Sequence, residues 1–174
     1  MPIITIILLI SMLVVIYFDA TRFIIPNWLV GFLLALYPVA VFFAPVPIDW
    51  QHDLLGFLGA FAVGYVIFAL NIMGGGDVKL IIVLALWVGL GKLADFGLDF
   101  ALLGGVLTII LLTLRATMPA IITPEKLPRV LKKREPVPYG LAISAAFLII
   151  LMNGQIPAAP LGEFASILKQ QLLN

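Results

Sequence analysis

Long apolar runs separated by short polar stretches dominate this chain, and they predict a series of helices. The six predicted segments are Pro2–Phe18, Trp28–Ala44, Leu54–Met73, Val78–Leu90, Phe96–Leu114 and Tyr139–Met152. Most of them approach the ~20 residues that a helix needs to cross a bilayer, but the fourth is markedly shorter. That segment either extends through Lys92 or begins in a water-accessible recess. The pattern predicts an all-α, polytopic membrane protein with about six transmembrane helices.

The composition narrows the class of protein further. Of the 174 residues, 63% are hydrophobic and 11% are charged, and the mean hydropathy is +1.21. A soluble domain of this size cannot bury so much apolar surface, which excludes a water-soluble protein. The chain has no cysteine and a single histidine, His52, so thiolate catalysis and multi-histidine metal sites are excluded within one chain. We expect no cofactor, no metal and no nucleic-acid partner, and the composition leaves the oligomeric state open.

The basic residues indicate the orientation of the chain, because Lys and Arg favour the cytoplasmic side of a membrane. With the N-terminus outside, only Lys92 and Lys169 remain on the outer side. The cytoplasmic loops then contain the other eight, Arg22, Lys79, Arg115, Lys126, Arg129, Lys132, Lys133 and Arg134. We expect residues 1–154 to form one transmembrane domain. Residues 155–174 would be a short extracytoplasmic tail that can lie on the membrane surface.

Two aspartates beside apolar segments are the candidate chemical groups. Asp77 follows three glycines, Gly74, Gly75 and Gly76, and Asp19 ends the first segment. Between them the chain crosses the membrane twice, so both carboxyl groups are expected at the cytoplasmic boundary. Two carboxyl groups that share a site cannot both ionise cheaply, which provides an acid and a base in one place. Such a pair can activate water for peptide hydrolysis without a metal.

A structural role for both aspartates is the competing interpretation. Asp19 and Arg22 are three residues apart, so they can pair on one helix face. Asp77 can cap the fourth helix or pair with Lys79. In that case the chain would be a small transporter or an assembly scaffold for a pilus or secretion system, without enzymatic activity. Charge and spacing alone leave both interpretations open.

Three short motifs resemble those of the type IV prepilin peptidases, which are Gly-x-Gly-Asp membrane aspartic proteases. Gly74-Gly75-Gly76-Asp77-Val78-Lys79-Leu80 is similar to the Gly-x-Gly-Asp-x-Lys-Leu motif of the family. Asp19, followed by Ile25-Pro26-Asn27, resembles the segment of the first aspartate. Pro138-Tyr139-Gly140 resembles a late motif that opens the last helix.

The resemblance implies a function and assigns roles to these residues. Asp19 and Asp77 would be the catalytic pair of an endopeptidase that cleaves leaders from prepilins or pseudopilins. The substrates would have a basic leader and a hydrophobic helix, and cleavage would occur at the cytoplasmic face of the bacterial inner membrane. The glycines before Asp77 would shape the loop that presents it, while Arg22 and Lys79 would steady carboxylates or hold the loops. Pro138 and Gly140 would set the entry angle of the last helix, and Tyr139 would be an interfacial anchor.

The chain departs from the larger members of this family in one respect. Bifunctional prepilin peptidases carry a cytoplasmic insertion, often with Cys-x-x-Cys pairs, that is associated with N-methylation of the mature pilin. The gap from Phe18 to Trp28 has no room for a domain, and the chain has no cysteine. It therefore resembles the short, peptidase-only members, such as those that serve tight-adherence (Flp-type) pili, and methyltransferase activity is not expected.

Overall fold

A computed structural model describes residues 2–44, 47–117, 128–132 and 135–156 of the chain. These residues form six α-helices and one short 3₁₀ turn, Arg129–Leu131, and contain no strand. The helices are α1 Pro2–Arg22, α2 Asn27–Phe42, α3 Trp50–Ala69, α4 Gly75–Val88, α5 Leu90–Thr117 and α6 Tyr139–Met152. The all-α prediction is confirmed for this part of the chain. Most of the predicted tail, including its amphipathic part, lies outside the described residues.

The first helix continues past its predicted end at Phe18 and includes Asp19. It ends at Arg22 because Phe23 adopts a left-handed conformation with φ of 56°, and its N–H still donates to the carbonyl of Asp19 at 3.0 Å. Residues 24–26 have no regular secondary structure, and Pro26 is extended just before α2. Asp19 therefore projects from a rigid helix rather than from a loop.

The predicted bounds of the fourth and fifth helices are also corrected. Helix α4 begins at Gly75, so Gly75 and Gly76 are helical and do not form the loop that the sequence suggested. The helix ends at Val88 because the next residue, Gly89, has a φ of 75°, and α5 starts at once with Leu90. Apolar periodicity could not locate these ends, because the residues on both sides of each break are themselves compatible with a helix. The prediction for α6 matches the structure at both ends.

Helix α4 lies at the centre of the bundle and is surrounded by α2, α3, α5 and α6. Its residues from Ile82 to Val88 are all buried, as expected for a helix that is apolar on every side. The indole Nε1 of Trp87 donates to the carbonyl of Leu33 at 3.1 Å, which ties α4 to α2. At about 1.5 Å per residue, 14 residues span about 21 Å, less than the ~30 Å hydrocarbon core of a bilayer.

The outer surface of the bundle is strongly apolar. Large hydrophobic side chains remain more than half exposed on its outer helices, for example Ile3, Val63, Leu102 and Ile109. Three helices, Ile3–Arg22, Trp50–Ala69 and Leu90–Thr117, are long and apolar enough to cross a membrane, and α2 and α6 are shorter apolar helices. An exposed apolar surface of this extent is stable only in lipid, so the fold is that of a helical membrane protein.

Candidate active site

A cavity of about 460 Å³ opens at the end of the bundle where α1 and α5 finish and α4 and α6 begin. Asp19 and Asp77 both line it, although 58 positions separate them in the sequence. The remaining walls come from the α1–α2 connection and the first residue of α2, from residues 72–74 ahead of α4 and 75–76 at its start, and from residues 136, 137 and 139 ahead of and at the start of α6. The tertiary structure thus brings the two predicted aspartates into one cavity.

Asp19 is held against the start of α6. Only 5% of its surface is exposed, and its Oδ2 accepts a hydrogen bond from the backbone N–H of Leu141 at 3.2 Å. This amide is one of the N–H groups at a helix N-terminus that have no partner inside the helix. The last helix therefore fixes the position of a carboxyl group carried by the first.

Gly140 makes this contact possible. A Cβ atom at residue 140 would lie 2.8 Å from Oδ2 and 3.0 Å from Cγ of Asp19, closer than side chains tolerate. Pro138, which was predicted to set the entry angle of α6, is buried and occupies the position just before that helix. The role predicted for Gly140 was the entry angle alone, whereas its missing side chain gives Asp19 the space to reach the helix.

Asp77 is the third residue of α4 and also lines the cavity. It is partly buried, whereas Asp19 is buried. The residue at the cap of this helix is Gly74, and no side chain bonds to the cap, so Asp77 does not cap the helix. Of the three glycines before Asp77, Gly74 lies closest to its carboxyl group, since a Cβ at residue 74 would lie 3.2 Å from Asp77 Oδ2. A Cβ at residue 75 would instead lie 3.1 Å from the Phe68 ring. At residue 76 the nearest atom would be Cβ of Ile25, at 3.4 Å.

The ion pairs required by the non-enzymatic interpretation do not occur among the described residues. The guanidinium of Arg22 lies 5.2 Å from the centroid of the Phe18 ring rather than on Asp19. Lys79 Nζ donates to the side-chain carbonyl of Asn27 at 3.2 Å and so joins α4 to the start of α2. Within the described ranges, the recorded salt bridges include neither Asp19 nor Asp77. Lys79 thus ties the helix that carries Asp77 to the start of α2, and Pro26 lies just before α2.

The rim of the cavity contains a strained residue. Phe23 lines the cavity in a left-handed conformation that a bulky side chain rarely adopts, at a cost of order 1–2 kcal/mol. The guanidinium of Arg129 lies 5.2 Å from the centroid of its ring, and Arg129 also pairs with Glu135 at 3.1 Å. Strain of this kind persists where surrounding contacts hold it, often at functional sites.

Arg115 is a residue whose role the sequence did not reveal. It is 8% exposed near the end of α5, and its guanidinium donates to the carbonyls of Val130, Glu135 and Pro136 at 2.8–3.0 Å. These carbonyls belong to the segment that leads to α6 and borders the cavity. In the sequence, Arg115 was only one of the basic residues that indicate the orientation of the chain in the membrane. Hydrogen bonds to backbone carbonyls do not depend on the side chains of the accepting residues, so no sequence motif indicates them.

We expect Arg115 to position the segment that leads to α6. Because α6 holds Asp19, Arg115 would then position Asp19 indirectly. Arg115→Lys retains the charge but loses the planar fork of donors, so kcat for substrate cleavage should fall about tenfold with KM nearly unchanged. Arg115→Ala should reduce kcat further and destabilise the protein. Single-variant kinetics and thermal unfolding in detergent measure both effects. The exposed Lys132→Ala variant is the control, and an unchanged kcat in Arg115→Lys would contradict the positioning role.

Tyr139, predicted to be an interfacial anchor, lies at the end of the bundle that carries the cavity. It is partly exposed and lines the cavity. Its ring also faces Gly104 of α5, where a Cβ atom would lie 3.3 Å from Tyr139 Cε1. The ring is therefore seated between the cavity and α5, which fixes the start of α6.

A second group of charges lies at the opposite end of the bundle. Asp49 precedes α3, and its hydrogen bonds from the backbone amide and ring of His52 hold the pKa of this exposed carboxyl below its usual range. Asp53 bonds to the hydroxyl of Tyr37, and Asp95 pairs with Lys92 at 2.9 Å. Within the described residues, no three His, Cys, Asp or Glu side chains are grouped so that they could hold a metal ion.

The fold and the cavity define a helical membrane protein in which two carboxyl groups line one cavity at one end of the bundle. Residues 6–118 match the model of the type IV leader peptidase family, and the chain belongs to this family. The match spans more than half of the chain and contains Asp19 and Gly74–Asp77, whereas Pro138–Gly140 lies beyond it. No match was found among curated proteins or among solved structures. The family predicted from the three motifs is therefore confirmed, and with it a prepilin-type peptidase function in general terms.

Proposed function

We propose that the chain is a membrane aspartic endopeptidase that removes the basic leader from type IV prepilins or pseudopilins. The observation that carries this proposal is the single cavity lined by Asp19 and Asp77. Membership of the leader peptidase family supports it, because both aspartates lie in the matched range. The lack of an ion pair from either carboxyl group to Arg22 or Lys79, among the described residues, argues against a purely structural role.

In this mechanism the two carboxyl groups share one proton. The ionised carboxylate takes a proton from a water molecule, whose oxygen attacks the carbonyl carbon of the scissile peptide bond. The protonated partner donates a hydrogen bond to the carbonyl oxygen and stabilises the charge that develops there. The tetrahedral intermediate collapses when a proton reaches the leaving nitrogen, which releases a carboxylic acid and an amine. Any pKa measured for this reaction belongs to the pair.

The proposed orientation follows from the distribution of basic residues. Six spans with the N-terminus outside direct the cavity, with Arg22, Lys79 and Arg115 near it, to the cytoplasm of a bacterium. Residues 1–154 then form the transmembrane peptidase domain, and residues 155–174 form the short extracytoplasmic tail. A leader that is basic and cytoplasmic would meet an acidic cavity on its own side of the membrane.

The test is processing of a panel of prepilins by the purified chain in lipid vesicles. We expect release of the leader and a new N-terminus just before the hydrophobic helix, identified by mass spectrometry. Because the chain has no cysteine and no room for an insertion, the new N-terminus should stay unmethylated when S-adenosylmethionine is added.

Two comparisons sharpen this experiment. In vesicles made from native membranes, a prepilin added from outside should lose its leader if the vesicles are inverted but not if they are right-side-out. The reason is that the cavity is proposed to face the cytoplasm. A bifunctional prepilin peptidase in the same assay is the positive control for methylation. A folded protein that cleaves no member of the panel would contradict the proposed activity, and cleavage only in right-side-out vesicles would contradict the orientation.

A further inference from the structure

A second cavity, of about 350 Å³, lies within the bundle beside the first and is lined by apolar side chains and glycines. One wall is α3 from Gly59 to Ile67, and the other is α5 from Leu93 to Phe100. Its floor is formed by Val78 and Ile81 of the central helix α4. We call this second cavity the apolar groove.

The apolar groove adjoins the cavity of the two aspartates. Met73 lines both cavities. In α4, Asp77 lines the first cavity and the next residue, Val78, lines the groove. The surface thus changes from acidic to apolar within one residue, in the direction that leads from the end of the bundle into the depth of the membrane.

We propose that the apolar groove binds the hydrophobic helix of the substrate while the cavity holds the peptide bond to be cut. This inference rests on the proposed function and names the part of the substrate that the enzyme recognises. A polar leader followed at once by an apolar helix has the same order of polarity as the cavity followed by the groove. Because the two orders of polarity match and Met73 lines both cavities, the substrate helix is the occupant that fits the groove.

The dimensions of the groove suit one face of a helix. From Gly59 to Ile67 the α3 wall rises about 12 Å, or roughly two helical turns. A Cβ atom at Gly59 or Gly97 would meet no atom within 4 Å, so both walls leave open space. Helices associate inside membranes through close packing rather than through the hydrophobic effect, and small residues permit that approach. The substrate helix would enter sideways from the lipid, between α3 and α5.

Cross-linking tests the occupant directly, because the chain has no cysteine of its own. Gly59→Cys and Gly97→Cys each add one thiol to a wall of the groove, and a prepilin receives one cysteine within its hydrophobic helix. Gly31→Cys on α2 is the matched control, since it is equally open and does not line the groove. We expect disulfide formation on oxidation from residues 59 and 97 and at least about tenfold less from residue 31.

Kinetics provide a second measurement that does not depend on cross-linking. Gly59→Leu and Gly97→Leu extend a side chain into the groove from positions where the Cβ atom meets nothing within 4 Å. We expect both variants to fold and to raise KM for the prepilin about tenfold. Gly31→Leu should leave KM unchanged. The Leu variants should retain the thermal stability of the parent in detergent, which separates an occupied groove from a damaged fold.

The outcomes distinguish this inference from the proposed function. Equal cross-linking at residues 31, 59 and 97, or unchanged KM in both Leu variants, overturns the groove as a substrate site. Such a result with normal processing would indicate that lipid acyl chains fill the groove. Cross-links between two copies of the chain would indicate a dimer contact and would also overturn the inference. A parent protein that cleaves no prepilin contradicts the proposed function itself, and that assay is performed first.

Discussion

Replacement of Asp77 by asparagine is expected to lower the rate of leader removal by about 10²–10⁴-fold, the usual contribution of a general acid or base. Asparagine has nearly the same size and lines the cavity in the same way, but it cannot accept or donate the proton. Asp19→Asn should have an effect of the same order while its side-chain oxygen still accepts the hydrogen bond from Leu141. Processing of a prepilin by each purified variant, under single-turnover conditions, measures the effect.

The double variant distinguishes a pair from two independent groups. If Asp19 and Asp77 act as one unit, losing both should cost little more than losing either one. Asp95→Asn is the matched control, because Asp95 is an exposed aspartate at the opposite end of the bundle. A folded Asp77→Asn or Asp19→Asn protein that processes prepilin at the parental rate would refute the catalytic pair and favour a structural role.

Gly140→Ala is the second change for which we expect a large effect, although it adds only one methyl group. The new Cβ would lie 2.8 Å from Oδ2 of Asp19, so either the carboxyl group or the start of α6 must move. Misplacement of a catalytic group by about 1 Å can cost about 10²-fold in rate. We therefore expect processing to fall by about two orders of magnitude, with an overpacking cost of about 1–3 kcal/mol in stability.

Gly105→Ala is the control for this prediction. Gly105 lies in α5, and a Cβ atom there would meet nothing within 4 Å, so alanine should be neutral or slightly stabilising in this helix. Thermal unfolding and processing rates of both variants in the same detergent separate the clash from a general effect of alanine. Parental activity in Gly140→Ala would show that the close approach of Asp19 to α6 is not needed for cleavage.

The sequence singled out the candidate residues because polar residues inside apolar segments are rare and costly. Asp19 and Asp77 stood out for this reason, and the crossing count assigned them to the same side of the membrane. The structure brings both into one cavity. The family followed from short motifs of glycine, proline and asparagine around them, and the family match over residues 6–118 confirms it.

Helix ends were predicted less well. Asp19 was expected after α1 and lies inside it, and Gly75 and Gly76 were expected in a loop and lie in α4. Glycine disfavours a helix by about 1 kcal/mol relative to alanine, a preference that tertiary packing readily overrides. Here a Cβ atom at residue 75 would press on Phe68 of α3, and one at residue 76 would lie 3.4 Å from Ile25, which is distant in sequence.

By itself the sequence indicated the class of protein, the family and the order of the helices, because these depend on composition and local pattern. For the same reason it singled out Asp19 and Asp77 as candidate catalytic residues. Only the tertiary structure revealed that Gly140 gives Asp19 its space, that Arg115 holds the segment before α6, and that Met73 joins two cavities. Such relations depend on distances between residues far apart in the chain. A missing side chain and a bond to a backbone carbonyl leave no periodic signal, so they become visible only when the helices are packed.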